Sequence, residues 1–215
     1  MSGLALLIGN KNYSSWSLRP WFLMRQSGIP FEETRVAMNQ PGFAETVRGW
    51  SPAGRVPVLR HGTRHVWDSL AIAEYLAETF PEKRLWPRDS GERAHARAVS
   101  AEMHSGFQSL RGQMPMNVRA TGRRVPRTPE LEADIARVKQ LFSDCRKSAS
   151  VRGPFLFGEF SIADAMYAPV AFRFATYGVP DDYAEALVRL PALREWAEAS
   201  AREPERIEAG EVGVT

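Results

Sequence analysis

Three serines crowd the entrance to the first helical segment of this chain: Ser14, Ser15 and Ser17, followed by Arg19. Hydroxyls at a helix start do one of two things. They cap free backbone amides, or they donate a hydrogen bond to an anion held at the positive end of the helix. A one-residue shift in the helix start exchanges the roles of Ser14 and Ser15, while Ser17 reads as a cap. Asp68-Ser69 stands before a second apolar helical stripe. There a serine and the first free amides can hold a carboxylate while the aspartate pairs with an amino group, or the two residues can serve as a plain cap.

Other candidates carry weaker signals. Arg55, in a loop, can approach a ligand or simply be solvated. Met103, His104, Phe107, Met114 and Met116 can line an apolar pocket or pack a core, and His104 can act as a base or as a hydrogen-bonded structural histidine. Arg119, Arg123, Arg124 and Arg127 form a basic run that reads as a solvated interhelical loop. A single cysteine, Cys145, rules out an internal disulfide framework and a Cys-based zinc site, and suits a reducing compartment. No metal is expected, and the cytoplasm is the expected location. The 28 Lys and Arg are nearly offset by 25 Asp and Glu, a net charge of +3, so nucleic acid is not implied. No apolar stretch approaches the ~20 residues of a membrane-spanning helix, and none suggests a membrane partner.

The elements that must position these residues fall into two groups. Leu4 to Ile8 is an unbroken apolar run, as in a strand buried on both faces. Leu18 to Gln26 carries helical spacing and stops at Gly28-Ile29-Pro30. Phe31 to Met38 reads as a strand and Phe43 to Trp50 as a short helix. Val56 to Arg60 and Arg64 to Trp67 form a hairpin, and Leu70 to Phe80 is helical. The order is βαβαββα. Pro81 to Asp89 has neither period and reads as a linker. Beyond it every periodic segment is helical: one stripe from Ala94 to Met114, another from Leu131 to Phe142, and a helix opened by a Ser161/Asp164 capping box and ending near Tyr177. A shorter helix begins at Pro191, and Ala209 to Thr215 is expected to fray. Asp164 is read as a folding residue.

This layout resembles the glutathione transferase superfamily over nearly the whole chain. Ser14-Ser15-Trp16-Ser17-Leu18-Arg19 looks like the serine motif of the zeta and tau classes, although the zeta pattern has a cysteine where this chain has Trp16. Ser51-Pro52-Ala53-Gly54-Arg55-Val56-Pro57-Val58-Leu59 resembles the cis-proline loop of thioredoxin-like folds. Trp67-Asp68-Ser69-Leu70-Ala71-Ile72-Ala73-Glu74-Tyr75-Leu76 resembles the acidic-Ser element that holds the γ-glutamyl end of glutathione.

The resemblance implies an α/β thioredoxin-like N-terminal domain (1–80) that binds glutathione, a linker (81–89) and an all-α domain (90–215) on the side of a hydrophobic electrophile or hydroperoxide. It also implies a cytoplasmic homodimer. Ser14, or Ser15, stabilises the glutathione thiolate; Arg55, Val56, Pro57, Asp68 and Ser69 bind glutathione; Met103, His104, Phe107 and Met114 face the electrophile. A hydroxyl bond to a charged acceptor (about 1.5–3 kcal/mol) plus a helix end (about 0.3–1 kcal/mol) supplies the roughly 2.7 kcal/mol that lowers a thiol pKa by about two units. The implied activity is conjugation or hydroperoxide reduction. A non-catalytic binding module of the same fold and a zeta-like maleylacetoacetate-type isomerase are the alternatives.

Overall fold

A computed structural model describes residues 3–213. Four strands, β1 (Leu4–Ile8), β2 (Glu32–Arg35), β3 (Val58–His61) and β4 (Arg64–Trp67), form one mixed sheet in the order β2-β1-β3-β4. Strand β1 runs parallel to β2 and antiparallel to β3, so both its edges are hydrogen-bonded. Its pleat sends Leu4, Leu6 and Ile8 into the main core and Leu7 to the opposite face, against Val47 and Val58. This is why the run is apolar throughout.

Strand β2 is shorter than the Phe31 to Met38 expected. It is an exposed edge strand, and after Val36, whose amide still reaches Ile8 O, the chain leaves the ladder because the Met38 amide donates to Asn10 Oδ1 at 2.7 Å. Helix α1 (Ser15–Gln26) starts earlier than its apolar pattern suggests, because Ser14 is its N-cap, accepting from the Ser17 amide at 3.3 Å. Pro20 sits inside it, where its ring removes one amide from the ladder. Residues 17 to 24 are all buried, since α1 packs against β1 and α3 (Ser69–Thr79) on one side and against a helix of the second half on the other. Helix α2 (Phe43–Arg48) covers the far face of the sheet.

The chain's second half is helical: α4 (Ser90–Ser105), α5 (Gln108–Gln113), α6 (Pro129–Ser148), α7 (Ile162–Tyr177), α8 (Asp182–Val188) and α9 (Pro191–Ala201). The expected single stripe from Ala94 to Met114 is two helices. Gly106 lets the chain fold back where a Cβ would come within 2.7 Å of Glu102 O, and Phe107 takes a left-handed φ of 58°. The Leu110 amide, near the start of α5, is then met by Asp134 Oδ2 at 2.9 Å. The pattern also passes over α8, which follows α7 after a four-residue turn.

Residues 81–89, which join the two halves, are packed against the helical half: Leu85 and Trp86 are buried, and Leu85 O accepts from the Ile162 amide that opens α7. Two expectations about exposed segments are corrected. The basic run is only partly free. Arg119 donates to Tyr13 Oη and to the Glu203 and Glu205 carbonyls, and Arg123 pairs with Glu211 at 2.8 Å. The tail is not frayed through residue 213, because Gly210 packs on the Tyr13 ring and Glu211 accepts from Tyr13 Oη at 2.6 Å; Val214 and Thr215 lie outside the described residues.

Asp164 holds the start of α7. Its Oδ2 accepts from the Ser161 amide and hydroxyl at 2.9 and 3.0 Å, and its Oδ1 accepts from the Leu156 amide and Tyr183 Oη at 2.9 and 2.7 Å. Burial pushes its pKa up while these donors pull it down. Asp164→Ala strands several buried donors and should cost about 3–5 kcal/mol, against a smaller loss for Asp164→Asn, as read from urea denaturation midpoints.

Candidate functional site

The loop from Asn10 to Ser14 leads into α1 and ends on its cap, and partners in the second half hold it. Glu203 accepts from the Lys11 and Asn12 amides at 2.7 and 3.2 Å, and Trp196 Nε1 donates to Lys11 O at 2.8 Å. The Asn12 side chain donates to Asn117 Oδ1 and accepts from the Arg119 amide. Ser14 then closes a turn by donating its amide to Asn10 O at 2.8 Å.

Ser14 is 5% exposed. Its Oγ lies 2.7 Å from Ser17 Oγ, and Ser17 Oγ accepts from the Gly9 amide at 3.1 Å. Ser17 is therefore not the cap: it lies inside α1, and the cap is Ser14. In this arrangement Ser14 donates to Ser17 Oγ. When the Ser17 hydroxyl turns to donate to Ser14 instead, the Ser14 proton is free to donate elsewhere. Ser15 is the first residue of α1 and is half-buried.

A cavity of about 570 Å³ opens beside the α1 N-terminus, lined by Trp16, Ala53, Arg55, Val56, Pro57, Trp67, Asp68, Ser69 and His104. The Val56–Pro57 peptide bond is cis. The structure thus brings Arg55, Val56, Pro57, Asp68, Ser69 and His104 together. Neither Ser14 nor Ser15 is part of the lining, and Trp16 forms the wall on that side. Met103, Phe107 and Met114, expected to face an electrophile, are core residues instead, as is Met116; they pack the α4–α5 face against the rest of the helical half.

The Asp68-Ser69 element also differs in detail from the expectation. Asp68, with φ at 73°, caps α3 with its own Oδ1, which accepts from the Leu70 and Ala71 amides at 2.9 and 3.4 Å. Those amides are already used, which leaves the Ser69 hydroxyl, reached by Arg19 Nη1 at 3.5 Å, as the hydrogen-bonding group that the cap does not occupy on that wall. Asp68 Oδ2 lies 3.1 Å from His104 Nε2, a contact spanning the cavity from the first half to the second. Burial lowers the His104 pKa, with Arg19 and Arg111 adding to the fall and Asp68 opposing it. Whether it carries one proton on Nε2 or two, the imidazole donates from Nε2 to Asp68 Oδ2.

Three arginines that the motifs do not assign gather on this side of the molecule, two of them against Trp16. Arg19 stacks on the indole at 4.4 Å and reaches Ser69 Oγ from Nη1 at 3.5 Å, and Arg111 lies at 4.6 Å from the same ring. Arg173, in α7, donates from Nε to Met114 O at 2.9 Å. Burial lowers Arg19 to about 9 and Arg173 to about 10, and each also feels Arg111. Both stay cationic at neutral pH. The signal for Arg173 was present in the sequence: it is an isolated charge in an otherwise apolar helix, Ala165 to Tyr177.

Comparison with known proteins follows the same division of the chain. Residues 13–79 match the description "Glutathione S-transferase, N-terminal domain" and residues 118–199 match "Glutathione S-transferase, C-terminal domain", together more than two thirds of the chain. The chain belongs to the glutathione transferase superfamily. It is 35% identical over 97 residues to a probable maleylacetoacetate isomerase of Caenorhabditis elegans, covering 45% of each chain. It is 24% identical over 182 residues to glutathione S-transferase L1 of Arabidopsis thaliana, covering 84% of this chain and 71% of that protein. The match thus spans just under half the length of the first of these relatives. In fold it is similar to a glutathione transferase homologue from Burkholderia gl BGR1 with bound glutathione, at a TM-score of 0.69 and 24% identity, covering 94% of this chain and all of the other. The fold is the thioredoxin-like α/β domain followed by an all-α domain.

The clamp on the serine loop has a measurable consequence. Glu203→Ala leaves the Lys11 and Asn12 amides buried without an acceptor, and unsatisfied donors cost about 1–3 kcal/mol each. The variant should lose about 2–4 kcal/mol in chemical denaturation, with no change in the denaturant m-value.

Proposed function

We propose that this chain binds glutathione in the 570 Å³ cavity and uses the Ser14 hydroxyl to hold its thiol as thiolate for conjugation to small electrophiles or reduction of organic hydroperoxides. The observation that carries this reading is the convergence of the Val56–Pro57 loop, Asp68 and Ser69 on a single cavity at the N-terminus of α1. Residues 1–80 would supply the glutathione side and residues 90–215 the side of the second substrate. Ser69 holds the glutamyl carboxylate, Asp68 the amino group and the Val56 backbone the cysteinyl backbone, with Arg55 at the mouth. Glutathione reaching Asp68 takes over the acceptor now used by His104. Ser14 donates to the sulfur once Ser17 has turned its proton toward Ser14; Ser17 is thus a positioning residue. Reaching the sulfur also requires Trp16 to give way, since the indole walls the cavity on the serine side.

The similarity to a probable maleylacetoacetate isomerase supports a second reading, glutathione-dependent cis–trans isomerisation. Product analysis separates the readings: conjugation and hydroperoxide reduction consume glutathione, isomerisation returns it, and a binding module retains glutathione without turnover.

Ser14→Ala should leave glutathione affinity nearly intact and raise the apparent pKa of the bound thiol by about one to two units, the equivalent of one hydrogen bond to a charged acceptor. The rate should fall most near neutral pH, where the variant has the smaller thiolate fraction, and converge with wild type at alkaline pH. Thiolate absorbance titrated in the bound complex reads this directly, and an unchanged pKa refutes the Ser14 role. Ser69→Ala should instead raise KM for glutathione with little change in kcat, because it removes an interaction equally strong in ground and transition states. Initial-rate kinetics at varied glutathione distinguish the two effects.

A further inference from the structure

Arg19 and Arg173 are 2% and 4% exposed, and each keeps a buried donor, Nε of Arg19 and Nη1 of Arg173, without a partner. Half-buried Arg111 joins them, spending one nitrogen on the His104 and Gly106 carbonyls. None of the three forms an ion pair with a carboxylate among the described residues. Asp68, the acid whose charge Arg19 feels, uses Oδ1 on the α3 amides and Oδ2 on His104. Buried charges are ordinarily paired, because an uncompensated one costs several kcal/mol. Here three like charges accumulate instead: Arg19 and Arg111 lie against the indole that lines the cavity, and Arg173 is near enough for its charge to act on Arg19 and to feel Arg111. Such a cluster is stable on folding only at a cost, and an arriving anion relieves it.

Two carboxylates could meet it. The glutamyl carboxylate of glutathione at Ser69 would face Arg19, whose Nη1 already reaches the Ser69 hydroxyl. That offsets one charge of three. Arg111 and Arg173 come from α5 and α7, in the half of the molecule expected to face the second substrate. We propose, building on the glutathione reading above, that Arg111 and Arg173 form an anion subsite for the second substrate, so that the preferred electrophile carries a carboxylate that docks beside Trp16. The carboxylate then lies against Arg111, which stacks on the Trp16 ring, while glutathione takes the Ser69 side with Arg19. A planar guanidinium already stacked and oriented loses little freedom on binding a carboxylate in a bidentate manner.

The test needs no turnover. Glutathione, S-benzylglutathione and S-(4-carboxybenzyl)glutathione are titrated into the protein by calorimetry at low salt. The carboxylated conjugate should bind tighter than the benzyl conjugate by on the order of tenfold, the worth of one charge-assisted pair. Arg111→Gln should bring that ratio close to one without weakening glutathione, and Arg111→Lys should restore part of it. Equal affinity of the two conjugates for the wild-type protein overturns the proposal by itself, whether or not any variant folds. A ratio that Arg111→Gln leaves unchanged also overturns it. If Arg111→Gln weakens glutathione and both conjugates by the same factor, the cluster serves the carboxylate of glutathione and the second-substrate assignment fails. Absence of binding by all three ligands removes the glutathione reading and this proposal together, whereas equal binding of the two conjugates removes this proposal alone.

Discussion

The burial of α1 over residues 17 to 24 governs the rest of the molecule. One face closes the core of the sheet, and the opposite face packs against α7, itself buried almost throughout. A stretch of more than two turns with no solvent face has no room for casual polar groups, so each one it carries needs a partner or a purpose. Ser17 has a partner in the Gly9 amide, and Arg19 finds one only at the edge of the cavity. The same sandwich makes the two halves of the chain share one hydrophobic core, and an isolated N-terminal half would expose the α1 face that α7 now covers.

Around that helix, the second half builds the site as much as the first. The loop before Ser14 would be a short polar connection with several unpaired amides if left to itself. Glu203, Asn117, Arg119 and Trp196 satisfy those groups and fix where α1 begins. Fixing the start of α1 also fixes which serine sits at its cap, because moving the start by one residue would exchange Ser14 and Ser15. The Asp68–His104 contact and the stacking of Arg111 on Trp16 tie the two halves a second and third time, across the cavity itself. Changes in the packing of α4 or α5 would therefore reach the binding wall directly through His104 and Arg111.

The electrostatic character of the site is local. With a net charge of +3 spread over 215 residues, the chain as a whole is close to balanced. Several exposed arginines pair with acids: Arg25 with Glu195, Arg97 with Glu74, Arg137 with Glu102. Exposed pairs of this kind contribute little to stability. The unbalanced charge lies instead behind Trp16, in a region of low dielectric where a cation acts strongly on any anion that enters. It also lies next to the α1 N-terminus, whose dipole has the same sign.

The sequence by itself determined the order of the sheet-domain elements, the helical character of the second half, and the motifs around Val56–Pro57 and Asp68-Ser69. These are short-range matters: strand β1 is apolar because both faces are covered, and a capping box needs only residues three apart. Boundaries followed less well wherever distant groups decided them. β2 ends where Asn10 takes the Met38 amide, and α4 ends where Gly106 meets Glu102 O while Asp134, on another helix, waits for α5. The periodicity of Met103, Phe107 and Met114 showed that they face one way, but only the packing decided that this way is the core and not the cavity. The tertiary structure alone made Ser17 a hydroxyl partner of Ser14, made His104 a partner of Asp68, and brought Arg19 and Arg111 from two helices onto one tryptophan, with Arg173 of a third helix close to both. A pattern of spacing records which face of an element a residue occupies; which other element meets that face is set by long-range packing, and a binding site is made of such meetings.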